Sequence, residues 1–381
     1  MLKSNVMKRP GNSKNMNACI YFFMYNDAFL WNRMSTLSSW NASNEKISFE
    51  IFSTVPSANT THLIVNRFTT ANHFDYIKEF VNMNLEFLFD IDDNIWELPE
   101  WSLDPSNNHS IYINKIDYAI KNSKAVIVTS ETLKKVILTR FPGKSVYIVR
   151  NVSPEHLRRG KGVFIANTDN FKMNKNNSEW FSKIISYISD RGLNVLVVGK
   201  NQTLYESGLN EFLIDRHGEV PYLNYLNLIR EGYTVGLIPI DKNAYSDCKS
   251  DIKLYEMTSL GMTVVASQIE PYKQFRNKFP QAPVILVENE YSEWKQALDS
   301  IISNCDAAEL ETGKIINQIK YICREEQFTS WKHILNENTI KLSSESSLKL
   351  RRFFLKKRLL GIIIQSKYFL KKITKIFTGN I

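Results

Sequence analysis

From Lys249 to Glu256 the chain reads Lys-Ser-Asp-Ile-Lys-Leu-Tyr-Glu, which puts two cations and two carboxylates within little more than two helical turns. At helical spacing Lys249, Lys253 and Glu256 share a stripe, while Leu254 and Met257 fall on a neighbouring apolar face. Ser250 or Asp251 suits the cap of a helix running to about Leu260, and Gly261 suits its left-handed stop. The unpaired N–H groups of such a helix start, beside two lysines, match a diphosphate. A carboxylate one turn deeper can accept from both vicinal hydroxyls of a ribose. An ordinary amphipathic helix with a Lys253–Glu256 ion pair worth a few tenths of a kcal/mol has the same pattern. Spacing alone leaves both readings open.

A second concentration of charge is Asp90, Asp92 and Asp93, directly after an apolar run. Clustered carboxylates raise one another's pKa, and one of them could take the proton of an attacking hydroxyl; Asp92 and Asp93 are the candidate bases. Capping of the following turn and Asx hydrogen bonds are the plain alternative, and magnesium ligation is a third. Arg67, at the end of another apolar run, is a candidate for an anionic acceptor or a phosphate, or is a surface arginine. His73, His109, His156 and His217 have no neighbouring partners that would define a nucleophilic triad.

These residues need strand ends and helix starts to hold them, and the sequence alternates short β-rich runs with helical segments, the pattern of open parallel α/β sheets. Strands are expected at Cys19–Met24, Ile47–Phe52, His62–Asn66, Leu85–Phe89, Ala125–Val128 and Val146–Val149. Helices are expected near Phe74–Val81, Ile111–Lys121 and Glu131–Arg140. After Pro154, three basic residues and two glycines, the alternation resumes with strands at Val163–Ala166, Val195–Val198, Thr234–Ile238, Thr263–Ala266 and Val284–Val287. Helices near Ser292–Ser303 and Ala307–Cys323, and another from Thr329, close the second half. The expected organisation is a polar leader over 1–17, a Rossmann-like domain over 18–151, a second over 152–342 and a basic helical tail over 343–381. Ligands of such sheets bind beyond the C-terminal ends of the strands.

The run from Lys249 to Glu256, continued by Leu-Gly-Met-Thr-Val-Val-Ala-Ser from Leu260, resembles the donor-site signature of family 4-like glycosyltransferases. Phe89-Asp-Ile-Asp-Asp-Asn-Ile-Trp-Glu-Leu-Pro99 resembles the Asp-Ile-Asp-Asp signature of the same subgroup, and Val149-Arg-Asn-Val152 its interdomain crossover. His217-Gly-Glu-Val-Pro-Tyr222 and Val235-Gly-Leu-Ile-Pro239 resemble its base-binding loop and the strand leading to the donor site. The matches span roughly residues 62 to 275. The resemblance implies a GT-B fold, two Rossmann-like domains facing across a cleft, and a hexosyl-type glycosyltransferase. It places Gly218, Pro239, Lys249, Ser250, Asp251, Lys253 and Glu256 at a nucleotide-sugar donor site, with Glu256 on the ribose. No metal or other cofactor is expected, since the family relies on helix dipole and basic residues. Many retaining members carry a second glutamate where this chain has Cys248, which leaves the stereochemical outcome open.

Composition bounds the rest. With 381 residues, 43% hydrophobic and 12% aromatic, the chain can build two ordinary cores. The net charge of +9 suggests a nucleic-acid partner until it is located. Ten Lys or Arg and no acidic residue lie between Ser346 and Ile381; without those ten, 38 basic residues face 39 acidic ones. The tail runs at Phe353–Ile364 and Tyr368–Phe377 mix cations with apolar residues at helical spacing. They suit either an anionic membrane surface, near a glycan or lipid-linked acceptor, or packing against the first domain. Cys19, Cys248, Cys305 and Cys323 show no zinc spacing and read as reduced thiols. No run reaches about eighteen apolar residues and the first residues do not read as a signal peptide, so a cytoplasmic body, peripheral at most on the inner membrane face, is expected. A catalytically silent relative and a nucleic-acid binder acting through the tail are the competing classes.

Overall fold

The structure, a computed structural model, describes residues 17–23, 33, 46–51, 60–67, 71–98, 109–152, 163–166, 175–198, 214–217, 224–225, 228, 233–303, 309–339, 345–346 and 348–356. The first unit holds strands β1 (Asn17–Phe23), β2 (Lys46–Ile51), β3 (His62–Asn66), β4 (Leu88–Asp90), β5 (Ala125–Val128) and β6 (Val146–Ile148). They form one sheet in the order β2-β1-β3-β4-β5-β6, parallel throughout. Helices α1 (Ala71–Asn82), α2 (His109–Asn122) and α3 (Glu131–Arg140) make the crossovers. Runs such as Ala-Val-Ile-Val in β5 are buried end to end, because helices and chain cover both faces of a parallel sheet. Ser130 caps α3 by accepting from the Leu133 N–H at 3.2 Å.

The second unit holds β7 (Val163–Ala166), β8 (Val195–Val198), β9 (Ile214–His217), β10 (Val235–Ile238), β11 (Thr263–Ser267) and β12 (Val284–Val287). Their order is β12-β11-β10-β7-β8-β9, again all parallel. Its helices are α4 (Lys175–Ser189), the single turn α5 (Ala244–Asp247), α6 (Ile252–Ser259), α7 (Glu270–Lys278), α8 (Tyr291–Ser303) and α9 (Glu309–Glu337). Alternate residues face opposite ways: Leu196 and Val198 join α6, α7 and α9 in one core, whereas Val195 and Val197 join α4 and α8 in another. The two doubly wound units meet the GT-B expectation. In the second sheet the chain reverses direction between β7 and β10, so the loop after β10 opens at the switch point where α/β sheets bind ligands.

Three expectations change. β4 starts at Leu88 instead of Leu85 and includes Asp90. A strand, β9, lies where none is legible. The helices expected to end at Cys323 and restart at Thr329 are one helix, α9. Its Ile319 and Cys323 are buried in the second unit, while Trp331 donates its indole N–H to the Arg33 carbonyl at 2.8 Å in the first. The described start of the tail packs inward: Leu350 and Phe354 join the first unit's core, and the Phe353 and Phe354 rings meet Tyr76 of α1 edge-on at 5.2 and 5.0 Å. Residues 357–381, with most of both apolar-cationic runs, lie outside the described residues, as does nearly all of the leader. Among the described residues no helix is long and apolar enough to cross a membrane.

His62, at the start of β3, joins the end of α9 to the sheet. Its Nε2 lies 2.7 Å from the Leu335 carbonyl and its Nδ1 2.8 Å from Thr61 Oγ1, an arrangement in which Nε2–H donates and Nδ1 accepts. Burial lowers the imidazole pKa below 6.5, the Leu335 bond offsets part of this, and Lys124 adds to the lowering. Below pH 6.5 the unfolded chain therefore takes a proton that the folded chain resists, so stability falls as pH falls through that window. One such site contributes at most about 1.4 kcal/mol per pH unit. His62→Gln should flatten the decline in unfolding temperature between pH 7 and 5; parallel profiles for the two proteins would refute this role.

Candidate functional site

The first unit brings charge to the ends of two adjacent strands. Arg67 follows β3 and ties its backbone N–H to the Asp90 carbonyl at 2.8 Å. Its guanidinium reaches Asp93 Oδ2 at 3.0 Å and Asp92 Oδ1 at 3.6 Å. The other Asp93 oxygen meets Lys249 Nζ of the second unit at 3.3 Å, so one carboxylate is shared by cations from both units. Lys249 also donates to the Tyr245 hydroxyl at 3.3 Å and lies 4.5 Å from that ring's centre. The Arg67, Asp93 and Lys249 side chains remain 23%, 18% and 16% exposed, so the cluster borders solvent.

This pairing reverses the pKa expectation at Asp93. Burial alone would raise its carboxyl, but Lys249 and Arg67 hold it well below the usual carboxylate range. Burial opposes the charge of Arg67 and Lys249 too; Asp92 and Asp93 outweigh it at Arg67, and Asp93 does so at Lys249, leaving both pKa values raised. Asp90 stands apart from this cluster. It is fully buried against Arg33, whose Nη2 lies 2.6 Å from Oδ1. Burial raises its pKa while Arg33 pulls it down.

In the second unit the segment divides into a turn and a helix. α6 begins at Ile252, so Lys249 precedes it and does not share a stripe with Lys253 and Glu256. Asp251 holds the N-cap position without a side-chain cap bond; its carboxylate pairs with Arg150 at 2.5 Å. Ser250 Oγ accepts from Asn151 Nδ2 at 3.2 Å. Both polar residues before the helix are thus turned toward the crossover at 149–151. Lys253 pairs with the buried Glu256 carboxylate at 2.7 Å, the ion pair of the plain reading, and reaches the Tyr225 hydroxyl at 3.1 Å. Tyr225 in turn donates to Glu256 Oε2 at 3.4 Å.

Packing holds α6 in place. Leu254 and Met257 are fully buried, each contributing about 1.5–3 kcal/mol by leaving water. Met257 lies against Gly236 of β10, where a Cβ would stand 2.4 Å from its Sδ. After β10, Pro239 is buried, and the backbone of Ile240 is held by Ser267 Oγ at 2.8 Å and Asn289 Nδ2 at 2.9 Å. Asn243 caps α5 through Ser246 N–H at 2.8 Å, which sets Tyr245 beneath Lys249. Gly261, at φ 85°, ends α6 as its type suggests.

Cys248 lies in the first unit's core although it belongs to the second, and its carbonyl accepts from Ser130 Oγ at 2.9 Å. Burial pushes its thiol up to about 11, Asn94 opposing, so it is neutral and a poor nucleophile near pH 7. It supplies no carboxylate to a sugar. Cys323 is also a free buried thiol.

The structure therefore brings Arg67, Asp92, Asp93 and Lys249 together, and separately Lys253 with Glu256. Ser250 and Asp251 serve the crossover, Pro239 the loop after β10, and Gly218 lies outside the described residues. Sequence reasoning missed Tyr225, Tyr245 and Arg33. Tyr245 carries a weak signal, an aromatic four residues before Lys249; Tyr225 is 28 residues from Lys253 and carries none. Among the described residues no three side chains form a metal-binding group.

No protein-family model and no curated protein matches the chain. Solved structures do resemble it. TarM, known from S. aureus, aligns with TM-score 0.49 and 14% identity over 74% of this chain, which spans 56% of TarM's length. HepE from Anabaena, solved with UDP, aligns with TM-score 0.48 and 10% identity over 84% of this chain and 99% of HepE. A glycosyltransferase from Rickettsia africae gives 0.46 and 10% over 86% and 97%. Such identities transfer no residue role, so the chemistry has to come from this chain's own side chains.

Gly236→Ala tests the packing that seats α6. Met257 has no solvent to move into, so the added methyl should cost about 1–3 kcal/mol in urea unfolding. Met257→Val in the same chain should recover part of the loss. A neutral single substitution would show that α6 is not held this way.

Proposed function

We propose that this chain is a nucleotide-sugar-dependent glycosyltransferase that moves a hexose from a nucleoside diphosphate to a hydroxyl of a glycan or lipid-linked acceptor. The observation that carries the reading is that Lys249 and Lys253 flank the start of α6 beyond a switch-point strand, with the Glu256 carboxylate one turn further along the helix. A nucleoside diphosphate likewise presents its anionic phosphates next to a ribose diol. Glu256 would accept from the diol, and Lys249, Lys253 and the first N–H groups of α6 would face the diphosphate. Asp251 makes no cap bond there, which suits an anion taking that place.

In transfer, an acceptor oxygen attacks the anomeric carbon as the bond to the diphosphate breaks. The departing electron pair goes to the diphosphate oxygen, whose growing charge the lysines offset. If the anomeric centre inverts, the acceptor proton passes to a carboxylate of the first unit. Asp93 is a weak base while two cations hold it. Asp92, with one looser contact to Arg67 and a third of its side chain exposed, is the stronger candidate. Arg67 then stands where an anionic acceptor group would approach.

Surface polysaccharide synthesis at the inner membrane face fits the tail. Cations without acidic residues over 357–381 suit anionic lipid headgroups.

Two experiments test these readings. Among UDP, GDP and ADP sugars, one should raise the unfolding temperature. Glu256→Gln should then weaken its binding about tenfold or more by calorimetry, the scale of a charged hydrogen bond; unchanged affinity and turnover would sink the assignment. Truncation after Lys356 keeps Leu350 and Phe354 in the core. It should abolish sedimentation with phosphatidylglycerol vesicles, and undiminished sedimentation would remove the tail from the mechanism.

A further inference from the structure

The two lysines proposed for the diphosphate sit in different places yet in the same surroundings. Lys249 has a carboxylate oxygen at 3.3 Å (Asp93), a phenol oxygen at 3.3 Å and a tyrosine ring centre at 4.5 Å (Tyr245). Lys253 has a carboxylate oxygen at 2.7 Å (Glu256), a phenol oxygen at 3.1 Å and a ring centre at 4.3 Å (Tyr225). Both tyrosines are buried. They come from different elements, Tyr245 from α5 and Tyr225 from a segment before β10, so no local repeat explains the likeness.

From this duplication we infer that Tyr225 and Tyr245 are positioning residues that aim Lys253 and Lys249 at the diphosphate; the inference rests on the donor-site reading above. A lysine side chain is a point charge on a stem with four rotatable bonds. A ring face beneath the ammonium and a phenol oxygen beside it restrict that freedom through cation–π attraction and a hydrogen bond. The ammonium has three donors, and a carboxylate and a phenol at each lysine account for two. One remains for an incoming phosphate oxygen.

A phenol also does what a second carboxylate would not: it orients the cation without discharging it. Burial raises the pKa of both phenols, with Glu256 adding to this at Tyr225 and Asp93 at Tyr245, while Lys249 and Arg67 oppose at Tyr245. Each hydroxyl keeps its proton near neutral pH and accepts from lysine, and that of Tyr225 passes its hydrogen toward Glu256. The phenol thus adds no negative charge of its own beside either lysine.

The test compares UDP, GDP and ADP with their parent nucleosides, by competition against the bound nucleotide sugar. Tyr225→Phe and Tyr245→Phe keep the ring and lose the oxygen; the leucine variants lose both. Each phenylalanine variant should weaken the preferred diphosphate roughly threefold to tenfold, and each leucine variant more, with the parent nucleoside losing less in every variant; the leucine variants should also lower the unfolding temperature, since both rings are buried. Equal losses for diphosphate and nucleoside would mean a merely structural role, and unchanged diphosphate binding in all four variants would equally overturn the inference. If the unsubstituted protein binds none of the three diphosphates, the donor-site reading itself fails, and the inference with it. That outcome is visible before any variant is made.

Discussion

A carboxylate with no access to water must find a cation or give up its charge, and Asp90 sits at the end of a central strand with none of its side chain exposed. Arg33 answers it, and the same guanidinium also reaches the Val149 carbonyl and Asn151 Oδ1. One buried pair therefore fastens the middle of the first sheet to the crossover between the units. Asn151 passes the connection on to Ser250, and Trp331 holds the Arg33 carbonyl, so the turn before α6 and the long helix α9 refer to the same point. Removing Arg33 would leave the Asp90 carboxylate buried without its cation, which makes the arrangement hard to alter piecemeal.

From that anchor the charged residues of the site fall into place as compensated sets. Arg150 takes Asp251 away from capping α6, Asp93 joins Arg67 to Lys249 across the units, and Lys253 accompanies the buried Glu256. Each pairing lowers the cost of holding like charges close together before any ligand arrives. Charges held in this way are fixed before any ligand binds and need little rearrangement.

Local pattern was enough where an apolar run ends in a clear stop. β7, β8, β12 and α3 lie where the sequence puts them, and Gly261 ends α6 as its residue type suggests. It failed where a polar residue has a distant partner. Asp90 reads as the start of a loop, yet it is strand because an arginine 57 positions earlier neutralises it. Arg324-Glu-Glu-Gln327 reads as a break, yet α9 runs through it, since Gln327 is buried and donates to the Arg150 carbonyl at 2.6 Å. The same limit applies at the site. The residue types from Lys249 to Glu256 were legible, but the partition into turn and helix depends on Arg150 and Asn151, about a hundred residues away.

The unbroken helix α9 has a mechanical consequence. At 29 residues it is about 43 Å long. Its Ile319 and Cys323 are embedded in the second unit, its Trp331, Ile334 and Leu335 are buried nearer the first, and Gln327 grips the crossover between them. Two bodies joined by a loop alone can swing freely, whereas these are also spanned by a stiff rod seated in both. Any swing of one unit against the other would have to bend that rod near Gln327 or lift one end from its seat, so the helix ties the two units together more stiffly than the crossover alone could.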